Sequence, residues 1–199
     1  MFEGHDVVPD IVTIGKPMGN GYPMAAVVCK REIADSFVDS GVEYFNTFGG
    51  NSVACYIGEA VLNVISEEAL QANARHVGSY LYSEFCLLQQ ISAYIGDIRM
   101  KGLFVGVEMV CDVDGRALPL VSGTAAGTAE LDLSGFDHLQ SCKLTGLLVS
   151  HMQIHQHIIS SRDENVFKIK TPLIFSMADA ELLIKSFREA LSSYNGPIH

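Results

Sequence analysis

Asp10-Ile-Val-Thr-Ile-Gly-Lys16-Pro-Met-Gly-Asn-Gly21 is an apolar run that stops at an amine and gives way to a glycine-rich turn. The run from Asp10 to Lys16 and the next one, Tyr22 to Cys29, read as two neighbouring strands joined through Pro17, Gly19, Asn20 and Gly21. A lysine offered from the end of a strand can attack a carbonyl if burial keeps its amine neutral, so Lys16 is a candidate for Schiff-base chemistry. A solvated lysine at a strand end is the ordinary alternative. The glycines fall as G-x-x-x-G-x-G, which is neither a dinucleotide fingerprint nor a P-loop, and they let backbone approach a ligand or simply make a tight turn.

Outward from this turn the pattern alternates between strand and helix. Arg31 to Phe37 can form a short helix, and Gly41 to Asn51 is a loop rich in aromatics and glycine. Ala54, Ile57, Val61, Val64 and Ile65 recur at helical spacing, and a longer helix is expected from about Glu67 to Gln90 through Leu70, Val77, Leu81, Phe85 and Leu88. Ile95 to Val110 reads as one or two strands broken by Gly102 and Gly106. Asp112 to Ser161 has no clear period, and Ser122 to Ala129 is of low complexity, as expected of a flexible insertion. Val166 to Phe175 is strand-like, and Ser176-Met-Ala-Asp179 resembles a capping box opening a last helix from about Ala178 to Tyr194. The order favours an α/β or α+β architecture with a domain change near residue 66.

Composition narrows the function classes. The 199 residues are 48% hydrophobic, enough for a real core, and the net charge of −10 argues against a nucleic-acid surface or an anionic membrane as partner. The sequence pI is near 5.0. Five cysteines without a C-x-x-C pair fit reduced thiols in an intracellular compartment. Met1 to Asp6 shows no secretory signal or obvious transit peptide, and no apolar run is long enough to span a bilayer.

Four other groups of residues could carry chemistry. Tyr44-Phe-Asn-Thr47-Phe-Gly-Gly50-Asn51 precedes a helix N-terminus, where open amides and the macrodipole favour a phosphate and Thr47 can add a hydroxyl. Capping of the helix by Asn51 or Ser52 is the plainer reading. His151 and His155 would share a helical face, with His157 beside them, but no carboxylate or cysteine completes a ligand pattern and no metal is expected. Arg99 with Lys101, and Lys168 with Lys170, alternate along strands so that each pair points one way, towards an anionic group or towards solvent.

The lysine turn together with the threonine loop resembles a known family. Pro9 to Met24 and Glu43 to Cys55 are similar to the signature of class III, ornithine-type aminotransferases; Gly96 to Glu108 resembles that family's C-terminal-domain signature and Val166 to Ser176 its last strand. The likeness covers residues 1 to about 119 well and 163 to 194 moderately, and is greatest to the alanine-glyoxylate aminotransferase 2-like branch, which includes phospho-lyases. It implies fold type I, the pyridoxal-phosphate-dependent transferase fold, with the end of the large cofactor domain at 1–66 and the small α+β domain at 67–199, irregular at about 120–161. It further implies pyridoxal 5'-phosphate as cofactor, Lys16 as its covalent partner and proton carrier, and Thr47 and Asn46 as cofactor-binding residues, with Thr47 reaching across a homodimer interface. Lys168 falls where transaminases of the family often carry a carboxylate-binding arginine, and a lysine cannot make the same bidentate clamp.

The expected reaction is transfer of an amino group from an amine or amino acid to a keto acid. The alternatives are elimination of phosphate and ammonia from an amino-phosphate, and a non-catalytic fragment acting as a dimerisation module, since the family's pyridine-nitrogen acid and stacking aromatic lie upstream of Lys16. Met100 stands where glycine is usual, and Ser52 and Thr171 where prolines are usual. Relatives of this type imply a mitochondrial or cytoplasmic location.

Overall fold

The computed structural model describes residues 2–111, 120–121, 130–131, 141, 143–144, 148, 158–160 and 165–193. The chain divides into two compact units, Met1–Ala69 and Leu70–His199.

Unit 1 opens with a 3-10 turn, Phe2–His5, followed by strand β1, Ile11–Ile14. β1 pairs antiparallel with β2, Ala26–Cys29, in the register Ile11 opposite Cys29 and Ile14 opposite Ala26. Lys16 lies past the end of the strand rather than in it: the chain turns at Gly15, and Lys16–Gly19 is a 3-10 turn whose Pro17 cannot donate to a ladder. Helix α1, Arg31–Asp39, is longer than expected by two residues. Helix α2 spans Ser52–Glu67 and closes on Glu68, whose amide donates to the Val64 carbonyl at 3.0 Å. Ala69, at φ +50, then breaks the helical path, so the next helix starts at Leu70 instead of near Glu67. Only Gly19, Ala54 and Gly58 are buried among the described residues of this unit.

Unit 2 is built on a core. Helix α3, Leu70–Ile91, and helix α4, Met177–Ser193, contribute Val77, Leu81, Phe85, Leu88, Leu183, Ile184 and Phe187 to one buried cluster. Strands β3 (Ile95–Lys101), β4 (Phe104–Met109), β7 (Ile158–Ser160) and β8 (Val166–Lys170) form an antiparallel sheet in the order β3-β4-β8-β7. Between β4 and β7, strands β5 (Leu120–Val121) and β6 (Glu130–Leu131) pair with each other. Alternation along β4 and β8 sends Val105, Val107, Met109, Phe167 and Ile169 into the cluster. Phe187 sits between Phe85 and Phe167, its ring centroid 5.2 Å from each, in edge-to-face contact with both.

Gly102 makes the β3–β4 turn at φ +56, and it comes so close to α3 that a Cβ on Gly78 would lie 2.5 Å from its carbonyl oxygen. Gly106 does not break a strand as expected but lies inside β4. The last strand stops at Lys170 rather than Phe175, because Pro172 cannot donate and the chain turns there towards the helix. Asn73 holds that turn by donating to the carbonyls of Leu173 and Phe175. The capping box forms: Ser176 Oγ accepts from the Asp179 amide, and the Asp179 carboxylate accepts from the Ser176 amide at 2.9 Å. Within 120–161, β7 supplies an edge strand to the main sheet. Ser122–Ala129, His151, His155 and His157 lie outside the described residues, as does the expected helix end at Tyr194.

Candidate active site

Lys16 occupies a conformation that side chains usually avoid. Gly15 is extended, and Lys16 then takes φ +52, in the left-handed region, which costs roughly 1–2 kcal/mol for a residue with a Cβ. The turn is closed behind it by the Asn20 amide donating to the Pro17 carbonyl at 2.9 Å and the Tyr22 amide donating to the Gly19 carbonyl at 3.0 Å. Strain concentrated on a functional residue is a common mark of a site, because surrounding bonds must over-determine it. The Lys16 side chain is exposed.

What holds the turn against the rest of the unit is a methionine. A Cβ on Gly19 would stand 2.9 Å from Met24 Cγ, and one on Gly58 of α2 would stand 2.6 Å from Met24 Cε. Met24 therefore fills a socket that exists because both positions lack a side chain. The sequence signal was slight: two glycines in different elements, joined only by the fold. From Gly58 back to Asn51 the helix axis runs about 10 Å, so the lysine turn packs about two helical turns from the α2 N-terminus.

The loop before that N-terminus is organised by two asparagines. Asn51 caps the helix, its Oδ1 accepting from the Ala54 amide at 2.8 Å while its Nδ2 donates to the Phe48 carbonyl at 2.7 Å. Asn46 Oδ1 accepts from the Phe48 amide at 3.1 Å, and its Nδ2 donates to the Tyr44 hydroxyl at 3.2 Å. Asn46 thus spends both polar ends on the shape of the loop. Thr47 lies exposed in the Thr47–Gly50 turn, where Gly50 takes φ +69, and its hydroxyl makes no hydrogen bond among the described residues. The cap satisfies one of the amides that a helix cannot satisfy internally and leaves those of Ser52 and Val53. Tyr44, Phe45 and Phe48 flank Thr47 with their rings in solvent.

Lys168 belongs to unit 2. It stands on β8 directly opposite Gly106 of β4 and Ile159 of β7. Gly106 in turn faces Arg99 of β3, whose Nη1 donates to the carboxylates of Asp97 at 2.7 Å and Glu108 at 3.0 Å. Lys101 and Lys170 flank Phe104 one row further along the same face. The two basic pairs expected on separate strands therefore form one surface, which no reading of single strands could show.

The class-III aminotransferase family model matches residues 2–191. The alanine-glyoxylate aminotransferase 2-like protein of Drosophila melanogaster is 40% identical over 195 residues, 96% of this chain and 35% of its own length. The mitochondrial alanine-glyoxylate aminotransferase 2 of Pongo abelii is 41% identical over 194 residues, covering 97% of this chain and 34% of its own. Among solved structures, an Arthrobacter phospholyase in complex with phosphoethanolamine superposes with a TM-score of 0.74 at 29% identity, over 98% of this chain and 41% of that one. The chain spans about a third of the length of the curated relatives it matches. Its architecture is α/β, of the fold type I pyridoxal-phosphate-dependent transferases. By a family match over nearly its whole length, the chain belongs to the class-III aminotransferases.

Proposed function

We propose that this chain supplies the cofactor lysine and part of the phosphate-binding surface of a pyridoxal-phosphate-dependent transaminase acting on an amine or amino acid and a keto acid. The observation that carries the reading is Lys16 itself, the amine of the family motif, held at φ +52 at the head of a turn pinned to α2 through Met24. The donor set fits the cofactor: a primary amine suits an aldehyde, and the Thr47 hydroxyl with the amides at the α2 N-terminus suits a phosphate. When bound, pyridoxal phosphate supplies an electron sink for the bond broken at the substrate carbon. Lys16 would hold it through Nζ and, when freed, carry a proton to or from that carbon at the same atom. Thr47 would donate to the phosphate, and Asn46 would keep the loop in the shape that presents it.

Residues 1–66 are read as the end of the cofactor domain and 67–199 as the small domain, with 120–161 as its variable part. A homodimer is supported by the apolar side chains that unit 1 leaves bare. A mitochondrial compartment follows the naming of relatives such as that of Pongo abelii, and no described helix is long and apolar enough to cross a membrane.

Phosphate elimination is a second reading, favoured by Lys168 in place of the usual arginine and by the likeness to the Arthrobacter phospholyase. One preparation tests both. After incubation with pyridoxal phosphate and reduction with borohydride, peptide mapping should find the label on Lys16; a folded chain without label there overturns the cofactor reading. Release of inorganic phosphate and ammonia from an amino-phosphate without a keto acid would select the lyase.

A further inference from the structure

We infer that Asp97 is a guard, which keeps the open edge of the unit 2 sheet from pairing with the same edge of a second copy of this chain. The order β3-β4-β8-β7 gives β3 a single neighbour among the described residues, so one side of that strand carries main-chain groups without a ladder. β3 is seven residues long, and the opposite edge, β7, is three. Length makes β3 the edge at risk, since a very short strand offers a partner few bonds.

Register decides which groups face outward. The Met109 amide donates to the Asn165 carbonyl, on the β8 side, at 2.7 Å, and the Val110 amide donates to the Tyr94 carbonyl, on the β3 side, at 2.8 Å. Alternation back along β4 then turns the main-chain groups of Glu108, Gly106 and Phe104 towards β3, where they oppose Asp97, Arg99 and Lys101. The residues between, Ile98 and Met100, point their amides and carbonyls away from the sheet.

Two side chains among the described residues answer this edge. At the register shift between Ile95 and Asp97, Gln89 of α3 donates to the Gly96 carbonyl at 3.0 Å. One step further the Ile98 amide donates to Oδ1 of Asp97 at 2.9 Å, so a carboxylate oxygen lies where the carbonyl of a pairing strand would have to come. Arg99 fixes it there, its Nη1 donating to Oδ2 of the same carboxylate at 2.7 Å and to Glu108 at 3.0 Å. Charge alone would not close the edge. In an antiparallel pair of two β3 strands with Ile98 opposite its own counterpart, Asp97 faces Arg99 of the second copy; with Ile98 opposite Met100, it faces Lys101. Both registers match opposite charges, which favours pairing. A second copy of β3 is therefore the partner that this edge fits, and the bond from Asp97 to the Ile98 amide is what excludes it. The inference uses unit 2 alone and does not rest on the cofactor reading.

The test compares the whole chain with its Asp97→Ala variant by sedimentation over a concentration series, with hydrogen exchange read at single amides. The variant should associate one step beyond the wild type at about a hundredfold lower concentration, roughly tenfold for each of the two guards removed. In that associated form the Met100 amide should exchange at least about tenfold more slowly than in the wild type, while exchange in α3 and α4 is unchanged; simple loss of stability would speed exchange there instead. Asp97→Asn keeps an acceptor at Oδ1 and should lie nearer the wild type than alanine does. Asp97→Val, a strong strand former, serves if the alanine variant does not fold. Unchanged association in the folded variant, association without protection of the Met100 amide, a wild type in which that amide is already protected, or an asparagine variant that associates as alanine does would each overturn the proposal. Labelling of Lys16 concerns the other unit and is read independently of either result.

Discussion

The two units use their apolar side chains in opposite ways. In unit 2 Phe85, Phe167 and Phe187 are fully buried, whereas in unit 1 Phe45 is 85% and Phe48 79% exposed. Unit 2 is held by packing: two helices and a sheet remove their apolar faces from water together. Unit 1 is held by local bonds: a strand pair, a capped helix, asparagine-braced loops and one methionine socket. The lysine turn and the threonine loop both lie in the unit without a core. A site built there draws its order from short-range hydrogen bonds and from whatever covers its bare rings, while the sheet of unit 2 is backed by a buried cluster.

One chemical change, made in both units, probes that difference directly. Phe187→Ala should cost unit 2 about 3–5 kcal/mol, read from urea unfolding, because the ring meets Phe85 and Phe167 edge-on with no room for collapse. A loss of under 1 kcal/mol would mean that the core is far looser than the packing implies. In unit 1 the larger response should come from a polar residue: Asn51→Ala removes the acceptor of the Ala54 amide, at a cost of about 1 kcal/mol, seen as roughly fivefold faster hydrogen exchange at that amide. Unchanged exchange would show that the cap contributes nothing. Phe45→Ala should alter stability by less than about 0.5 kcal/mol. If it costs as much as the unit 2 substitution, the ring is buried in the protein as it exists in solution, and the contrast between the units belongs to the single chain only.

The sequence made unit 2 legible where periodicity is long. Val77, Leu81, Phe85 and Leu88 mark one face of α3 over several turns, and Ser176 with Asp179 announces α4 by a bond that forms within three residues. β7 is three residues long, too short for any period to register beside the histidine-rich segment that precedes it. Gly106 was ambiguous for a physical reason: a glycine weakens a strand, yet the ladder on both sides of β4 holds it in place. In the candidate site, motif singles out Lys16 and Thr47 as candidates, and residue type announces the Asn51 cap. The end of β1 at Ile14 and the left-handed turn at Lys16 could not be read, because a backbone dihedral on a lysine leaves no mark in residue type, and the role of Met24 could not, because it depends on Gly58 in a different element. The same holds for the basic face, where alternation placed Lys168 and Lys170 together but only register placed Arg99 and Lys101 beside them.

The Met24 socket has a consequence for how this sequence can drift. Gly19 and Gly58 lie in separate elements, yet each is required small by the same side chain. Neither can accept an alanine unless Met24 moves: at Gly58 the obstacle is the flexible end of that side chain, Cε at 2.6 Å, whereas at Gly19 it is Cγ at 2.9 Å, with Tyr22 Cβ at 3.3 Å besides. The three positions are coupled unequally: an added methyl at Gly58 asks only that the end of Met24 swing aside, one at Gly19 asks for a shorter residue at position 24, and either change loosens the turn that presents Lys16.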